Sequence, residues 1–246
     1  MLGTMRFAPH GRGKPAPVNL YGLSVLETEV DPEGFWGERR LKKAGRALRL
    51  GGVGRLLVPW NFQGWELFRR LGLRPVEPEP FLRSQSVPLV LESLDRLGMA
   101  PDRATVALRG KRVDRSLRRA AAELCPRVRN LVVDVPGGGR ELEKWLRWEF
   151  GIPILPSHAP GEVGLCFQPG CGQGDRVSLD LYGPSPGLGG LMLTAPALAR
   201  EDRGNLPLLT ALWEGGKLAA EDIKILDRTG SNTYNDTESV IMPTQF

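Results

Sequence analysis

Histidine and cysteine are scarce in this chain: 2 His and 3 Cys among 246 residues. Three thiols in a chain of this length make no disulfide framework, and they fit a reducing, cytoplasmic setting. Cys166 and Cys171 have four residues between them, whereas a structural zinc site brings its cysteines in tighter pairs; no metal is expected. No run of 18 or more apolar residues occurs, so no membrane-spanning helix is expected. The sequence has neither a G-x-S-x-G elbow nor a phosphate-binding G-x-x-x-x-G-K-S/T loop, which removes the simplest serine-hydrolase and P-loop readings.

Charge is unevenly spread. From Asp175 onward there are 10 Asp/Glu against 6 Lys/Arg, so residues 1–174 carry +9 of the net +5. A basic surface can face a nucleotide, a nucleic acid or an anionic partner. Between Arg103 and Arg129 nine basic residues stand against two acids, yet stacking aromatics and any nucleic-acid motif are missing there. Arg115 and Arg119 lie opposite the apolar stripe of their segment, as on an ordinary solvated helix. Trp148 falls off the apolar stripe of its own segment.

The 31 Gly and 21 Pro imply many turns between short elements. The opening "MLGTMRFAPHGRGKPAP" has positive charge without an apolar run and is expected to be a loose basic leader, residues 1–17. Val18–Thr28 alternates as a strand does. Leu41, Ala44, Gly45 and Leu48 then recur at helical spacing, and the glycines at 51–54 stop that helix. "RLLVPW", a segment carrying Trp65, Leu67, Phe68 and Leu71, and "LRPV" continue a strand–helix–strand rhythm. "EPEPF" breaks it at 77–81, and a bridging helix spans about Ser86–Leu97, with Pro88 in its first turn.

The rhythm restarts at Thr105. Strands are expected at "TVALRG", "RNLVVDV", "IPIL", "EVGLCFQP", "RVSLDLY" and "GLMLTAP". Helices are expected from Asp114 and from "GGGRELEKWLRWEFG", with another over about Leu206–Trp213. The expected fold is α/β: a small N-terminal α/β lobe over 18–78, a Rossmann-like, mostly parallel lobe over 79–226, and a polar tail over 227–246. Over residues 18–195 this order is similar in layout to two-domain dehydrogenases of the shikimate dehydrogenase type. The likeness is one of element order; their glycine fingerprint is absent and no family follows from it.

A dinucleotide site needs a glycine loop after the first strand, a helix N-terminus facing the phosphate, and an acid at the end of the second strand. Asp134 stands 24 residues after Gly110 and suits the ribose role. The loop itself, Gly110-Lys111-Arg112, has one glycine where three are needed. Two readings stay open: Lys111 and Arg112 hold a phosphate by side-chain charge, or Asp114 merely caps the helix and the basic residues are solvated. Gly137, Gly138 and Gly139 present either bare amides for an anion or a flexible turn. If the strands of residues 105–155 are parallel neighbours, these turns converge with His158, the one candidate acid/base. Three functions follow: a non-catalytic accessory or partner-binding protein with a degenerate nucleotide-type pocket; alternatively a nucleotide- or dinucleotide-binding enzyme of oxidoreductase type using NAD or NADP; thirdly a basic nucleic-acid-associated protein. The missing fingerprint favours the first and the missing motif disfavours the third.

Overall fold

The computed structural model describes residues 1–227 apart from 12, 60, 61, 172 and 173. The expected tail therefore lies, beyond Asp227, outside the described residues. Two five-stranded sheets are built in chain order, one in each lobe.

The first lobe comprises β1 (Leu2–Phe7), β2 (Ala16–Leu20), β3 (Leu23–Val30), α1 (Gly37–Leu50), β4 (Arg55–Leu57), α2 (Trp65–Arg70) and β5 (Arg74–Pro75). Its strand order is β2-β3-β1-β4-β5. β1 runs parallel to both neighbours and only β2 is antiparallel. The opening segment is thus no loose leader but the central strand. Alternation in "LGTMRF" puts Gly3, Met5 and Phe7 on one face, and Met5 is buried in the core under α1 and α2. The positive charge that marked this segment belongs to exposed Arg6 and to the following loop. Val18–Thr28 is likewise not one strand but the hairpin of β2 and β3. Tyr21 and Gly22 turn it with φ of 50° and 87°, the left-handed pair that a two-residue hairpin demands. Tyrosine is held there by its hydroxyl, which donates to Asp202 Oδ2 (2.6 Å) and accepts from the Ala199 amide (3.1 Å).

Two helices bridge the lobes: α3 (Glu79–Ser84), which starts in the expected break, and α4 (Ser86–Arg96), as its apolar spacing predicts. The second lobe holds β6 (Thr105–Arg109), α5 (Arg115–Leu124), β7 (Asn130–Asp134), α6 (Gly139–Phe150), β8 (Ile154–Leu155), β9 (Val163–Cys166) and β10 (Val177–Asp180). All five strands are parallel, in the order β10-β9-β6-β7-β8. Counted within the lobe this is 3-2-1-4-5, the Rossmann order as far as it runs. β11 (Leu191–Thr194) does not extend that sheet. It forms an antiparallel ribbon with β12 (Lys224–Asp227). Between them α7 (Leu206–Glu214) returns to the first lobe, where Glu214 pairs with Arg55 at 2.6 Å, and its Trp213 meets Phe81 of the bridging α3.

The second sheet is covered unequally. Val106, Leu108, Leu131, Val133, Val163 and Leu165 face the large core shared with α4, α5 and α6. The opposite face carries Ala107, Arg109, Val132, Gly164 and Cys166. Among the described residues no helix follows β8 or β9 before the next strand; irregular segments, 156–162 after β8 and 167–171 and 174–176 after β9, stand there instead. Val132 apart, the side chains on this face are small or, like Arg109, internally paired. Sheet edges are guarded as well. Pro17 lies in β2 and Pro75 in β5, Pro153 and Pro156 flank β8, and Leu188 bridges β10. Proline withholds a ladder donor, so these edges discourage strand addition by another chain.

Candidate functional site

In an open parallel sheet, ligands lie beyond the carboxyl ends of the strands, where the order reverses. In the second lobe that place lies between β6 and β9. Val106 and Val132 sit on neighbouring parallel strands, so the expected turns do meet at one edge. Gly110, Lys111, Arg112, Asp134, Gly137, Gly138 and Gly139 are all brought there. His158 stands in the adjoining loop, exposed and without a hydrogen bond or ion pair among the described residues.

Beyond the strands, the two loops after β6 and β7 stay zipped. The Gly110 amide donates to the Asp134 carbonyl (3.1 Å), Gly137 to Lys111 (3.0 Å) and Val113 to Gly137 (2.8 Å), while Gly139 donates to Val135 (3.0 Å). The Lys111 amide donates to Gln168 Oε1 at 2.7 Å. The Gly110, Lys111, Val113, Gly137 and Gly139 amides are therefore engaged within the protein. Two of the glycines have local reasons. A Cβ on Gly137 would lie 2.8 Å from the Lys111 carbonyl, and Gly138 precedes α6 at φ 86°.

Asp114 caps α5. Its Oδ1 accepts from the Leu117 amide (2.8 Å) and the Ser116 hydroxyl (2.7 Å), and Arg83 of the bridging helix pairs with Oδ2 (2.7 Å). Burial would raise this carboxyl, but the Leu117 amide, Ser116 and Arg83 together hold it below its ordinary value. A carboxylate thus occupies the helix N-terminus that a phosphate would need. Arg83 also donates to the Phe167 carbonyl (2.9 Å), tying α3 to the end of β9.

Two residues that sequence reasoning passed over dominate the crevice. Arg109 ends β6, 4% exposed, and meets Asp175, which is 0% exposed. Its Nε and Nη2 fork onto the two Asp175 oxygens, each at 2.6 Å. Nη1 donates to Asp134 Oδ2 (3.1 Å) and to the Ser157 carbonyl (3.2 Å), and Nη2 also reaches the Ala159 carbonyl (3.1 Å). A guanidinium has five N–H donors, and all five are used. Asp175 additionally accepts from the Gly161 amide (2.8 Å). Hydrogen bonding to Asp175 drives the Arg109 guanidinium far above its usual range, against burial, with Asp134 adding to the effect. Gly164 makes the space: any side chain there would overlap the Asp175 carboxylate. A glycine inside an otherwise apolar strand was the one sequence signal of this close approach.

Cys166 is buried with its Sγ 3.3 Å from Ser178 Oγ, while Cys171 is half-buried in the loop beside this edge. Among the described residues no group of three His, Cys, Asp or Glu could hold a metal ion, and no helix is long and apolar enough to cross a membrane. Two surface cavities, of about 220 Å³ and 440 Å³, lie elsewhere: one between β11 and the start of α7, one over the first sheet.

Strand order and lobe arrangement define the class: a two-lobed α/β protein with a mixed five-stranded sheet followed by an all-parallel, Rossmann-like one. No protein-family model and no curated protein matches the sequence. Among solved structures the chain is similar to L-tryptophan dehydrogenase from Nostoc punctiforme, with 15% identity and a TM-score of 0.31. That match covers 67% of this chain and 55% of the other, so the chain spans little more than half the length of that protein.

Proposed function

We propose that this protein is a non-catalytic accessory or partner-binding protein whose second lobe keeps a nucleotide-type crevice filled by its own side chains. The observation that carries this reading is Arg109. With five donors committed to Asp175, Asp134 and two carbonyls, it has none left for a phosphate. Asp134, the candidate ribose ligand, is drawn into the same network. Among the described residues His158 has no carboxylate partner to orient it as an acid or base. Exposed aromatic surface supports contact with a partner: Phe35 (91% exposed) and Trp36 form an edge-to-face pair before α1, and Trp148 (90% exposed) projects from α6. Aromatic side chains are enriched at protein interfaces, and the proline-guarded edges leave faces rather than strands for such contact.

The test is thermal unfolding of the full chain with NAD, NADP, ATP and S-adenosylmethionine. A ligand that binds only the folded state raises the unfolding temperature by mass action. The expected result is no rise with any of the four. A rise with NAD or NADP that Asp134→Ala removes would establish the dinucleotide-binding oxidoreductase reading instead.

A further inference from the structure

Helix α1 has two faces, and the fold uses one of them. Ala44, Gly45 and Leu48 are buried, and Leu41 packs against the same core. On the opposite side Trp36, Arg39, Lys43, Arg46 and Leu50 succeed one another at steps of three and four residues, so they form one stripe. Every member of it is exposed, and so are Lys42 and Arg49 beside it.

The charge on this face is uncompensated. Glu38 is the only acid from Phe35 to Leu50. Among the described residues Arg39, Lys42, Lys43, Arg46 and Arg49 make no ion pair; Arg39 lies over the Trp36 ring at 5.3 Å. On other helices Arg70, Arg119 and Arg147 each have an acid one turn away. Exposed apolar side chains stand at both ends of the same helix, Phe35 (91% exposed) with Trp36 before it and Leu50 (90% exposed) at its close. The leading turn is built rather than loose. Arg40 Nε donates to the Asp31 carbonyl (2.8 Å), its Nη2 pairs with the Asp31 carboxylate (3.2 Å), and the Gly37 amide donates to the Gly34 carbonyl (3.0 Å). A side chain at Gly37 would overlap the Pro32 carbonyl.

Five cations in a row between apolar ends match an anionic lipid surface. The headgroups answer the cations, and the headgroup–acyl boundary takes the aromatic and aliphatic ends. The helix is about 21 Å long, so a flat surface meets both ends at once. A nucleic acid would use the cations but give Leu50, which neither stacks nor hydrogen-bonds, no partner. We propose that the outer face of α1 docks this protein on an anionic membrane surface, with Phe35, Trp36 and Leu50 entering the interface. The proposal rests on the reading of the Phe35–Trp36 surface as a contact face. It is independent of what fills the second-lobe crevice, so a rise in unfolding temperature with NAD would leave it standing.

Co-sedimentation of the full chain with phosphatidylcholine vesicles, with and without about 30% phosphatidylserine, tests it. The chain should pellet with the anionic vesicles alone, and less so as salt rises. Lys43→Gln with Arg46→Gln should weaken binding about 25-fold, about fivefold for each charge. Arg127→Gln with Arg129→Gln, an equal loss of exposed charge in the second lobe, should leave it within about twofold of the parent, because screening confines the attraction to charges near the surface. Phe35→Ser with Leu50→Ser should weaken vesicle binding at least tenfold and leave retention on duplex DNA unchanged. All these side chains are exposed, so the unfolding temperature should not move. The proposal is overturned if anionic vesicles pellet no more protein than neutral ones, if the second-lobe pair weakens binding as much as the α1 pair, or if the Phe35 and Leu50 pair binds vesicles like the parent. Retention on DNA without vesicle binding would assign the face to nucleic acid instead.

Discussion

At the carboxyl edge of β1 and β3, Lys14 and Glu29 stand exposed beside an open cavity, with no ion pair among the described residues; at the carboxyl edge of β6 and β7, every donor of Arg109 is taken. Both edges follow parallel strands, and both carry charge. Solvent makes the difference. Exposed charges keep their hydration and need no protein partner. Arg109 and Asp175, almost wholly buried, have lost theirs. Each would cost several kcal/mol if left alone, so burial enforces the pairing. The charge that could have received a ligand is consumed in closing the fold, and the edge left open is the one whose charges water still satisfies.

The sharpest way to break this contrast is to remove the buried cation. Arg109→Met should leave Asp175 uncompensated and destabilise the chain by about 3–5 kcal/mol, or about 10 °C in the thermal midpoint for a chain of this size. Arg109→Met with Asp175→Asn should recover part of the loss, which a double-mutant cycle would register as coupling. A midpoint within error of the parent would mean that the network is not what closes the crevice.

Glycine substitutions compare the two edges directly. Gly164→Ala should displace the Asp175 carboxylate and loosen Arg109, at about 2–3 kcal/mol. Gly11→Ala meets β3 backbone and should also destabilise, but it should deform only the first-lobe cavity. Urea unfolding measures the energies, and hydrogen exchange assigns the lobe affected.

Asp114→Ala removes the cap of α5 and the partner of Arg83, and should cost about 1 kcal/mol at neutral pH. The carboxyl sits below its ordinary 3.8 in the folded chain. Its stabilisation is therefore complete above that value and lost as pH falls through the folded one. Parent and variant should converge in acid; a constant difference down to the lowest pH would show that the carboxylate charge contributes nothing.

The smallest effect concerns thiols. Burial pushes the Cys125 thiol up to about 11 and raises Cys166 too. Cys171 is also raised, by burial first and then by Asp134, but it is the least covered of the three. A thiol reagent at pH 8 should label Cys171 first and reach the other two only on unfolding. Early labelling of Cys166 would show that the loop cover over the second sheet opens readily.

Local pattern made much of this molecule legible. Helical spacing located α1, α4, α5 and α6, and apolar runs located β6 and β7. The Asp114 cap was one of two readings of its position, and the geometry bears that one out. That Asp134 ends β7 and that Gly137–Gly139 lead into α6 was legible, because a strand end and a glycine turn are local features. β1 escaped because six residues with one arginine read as charge before they read as alternation. The β2–β3 turn escaped because tyrosine is a rare left-handed residue, and the contact that holds it comes from Asp202, 181 residues away.

The elements that local spacing marked, α1, α4, α5, α6, β6 and β7, were thus determined by the sequence itself, through periodicities that act within a few residues, whereas the parallel pairing that makes the 105–155 turns converge came from the tertiary structure. What fills the crevice was decided only by the tertiary structure. Asp175 is 66 residues from Arg109, and nothing in the spacing of the two predicts a buried fork. The pairing exists because parallel strands lay β6 beside β9, because Gly164 leaves room between them, and because a charge withdrawn from water accepts whichever opposite charge the fold brings within reach.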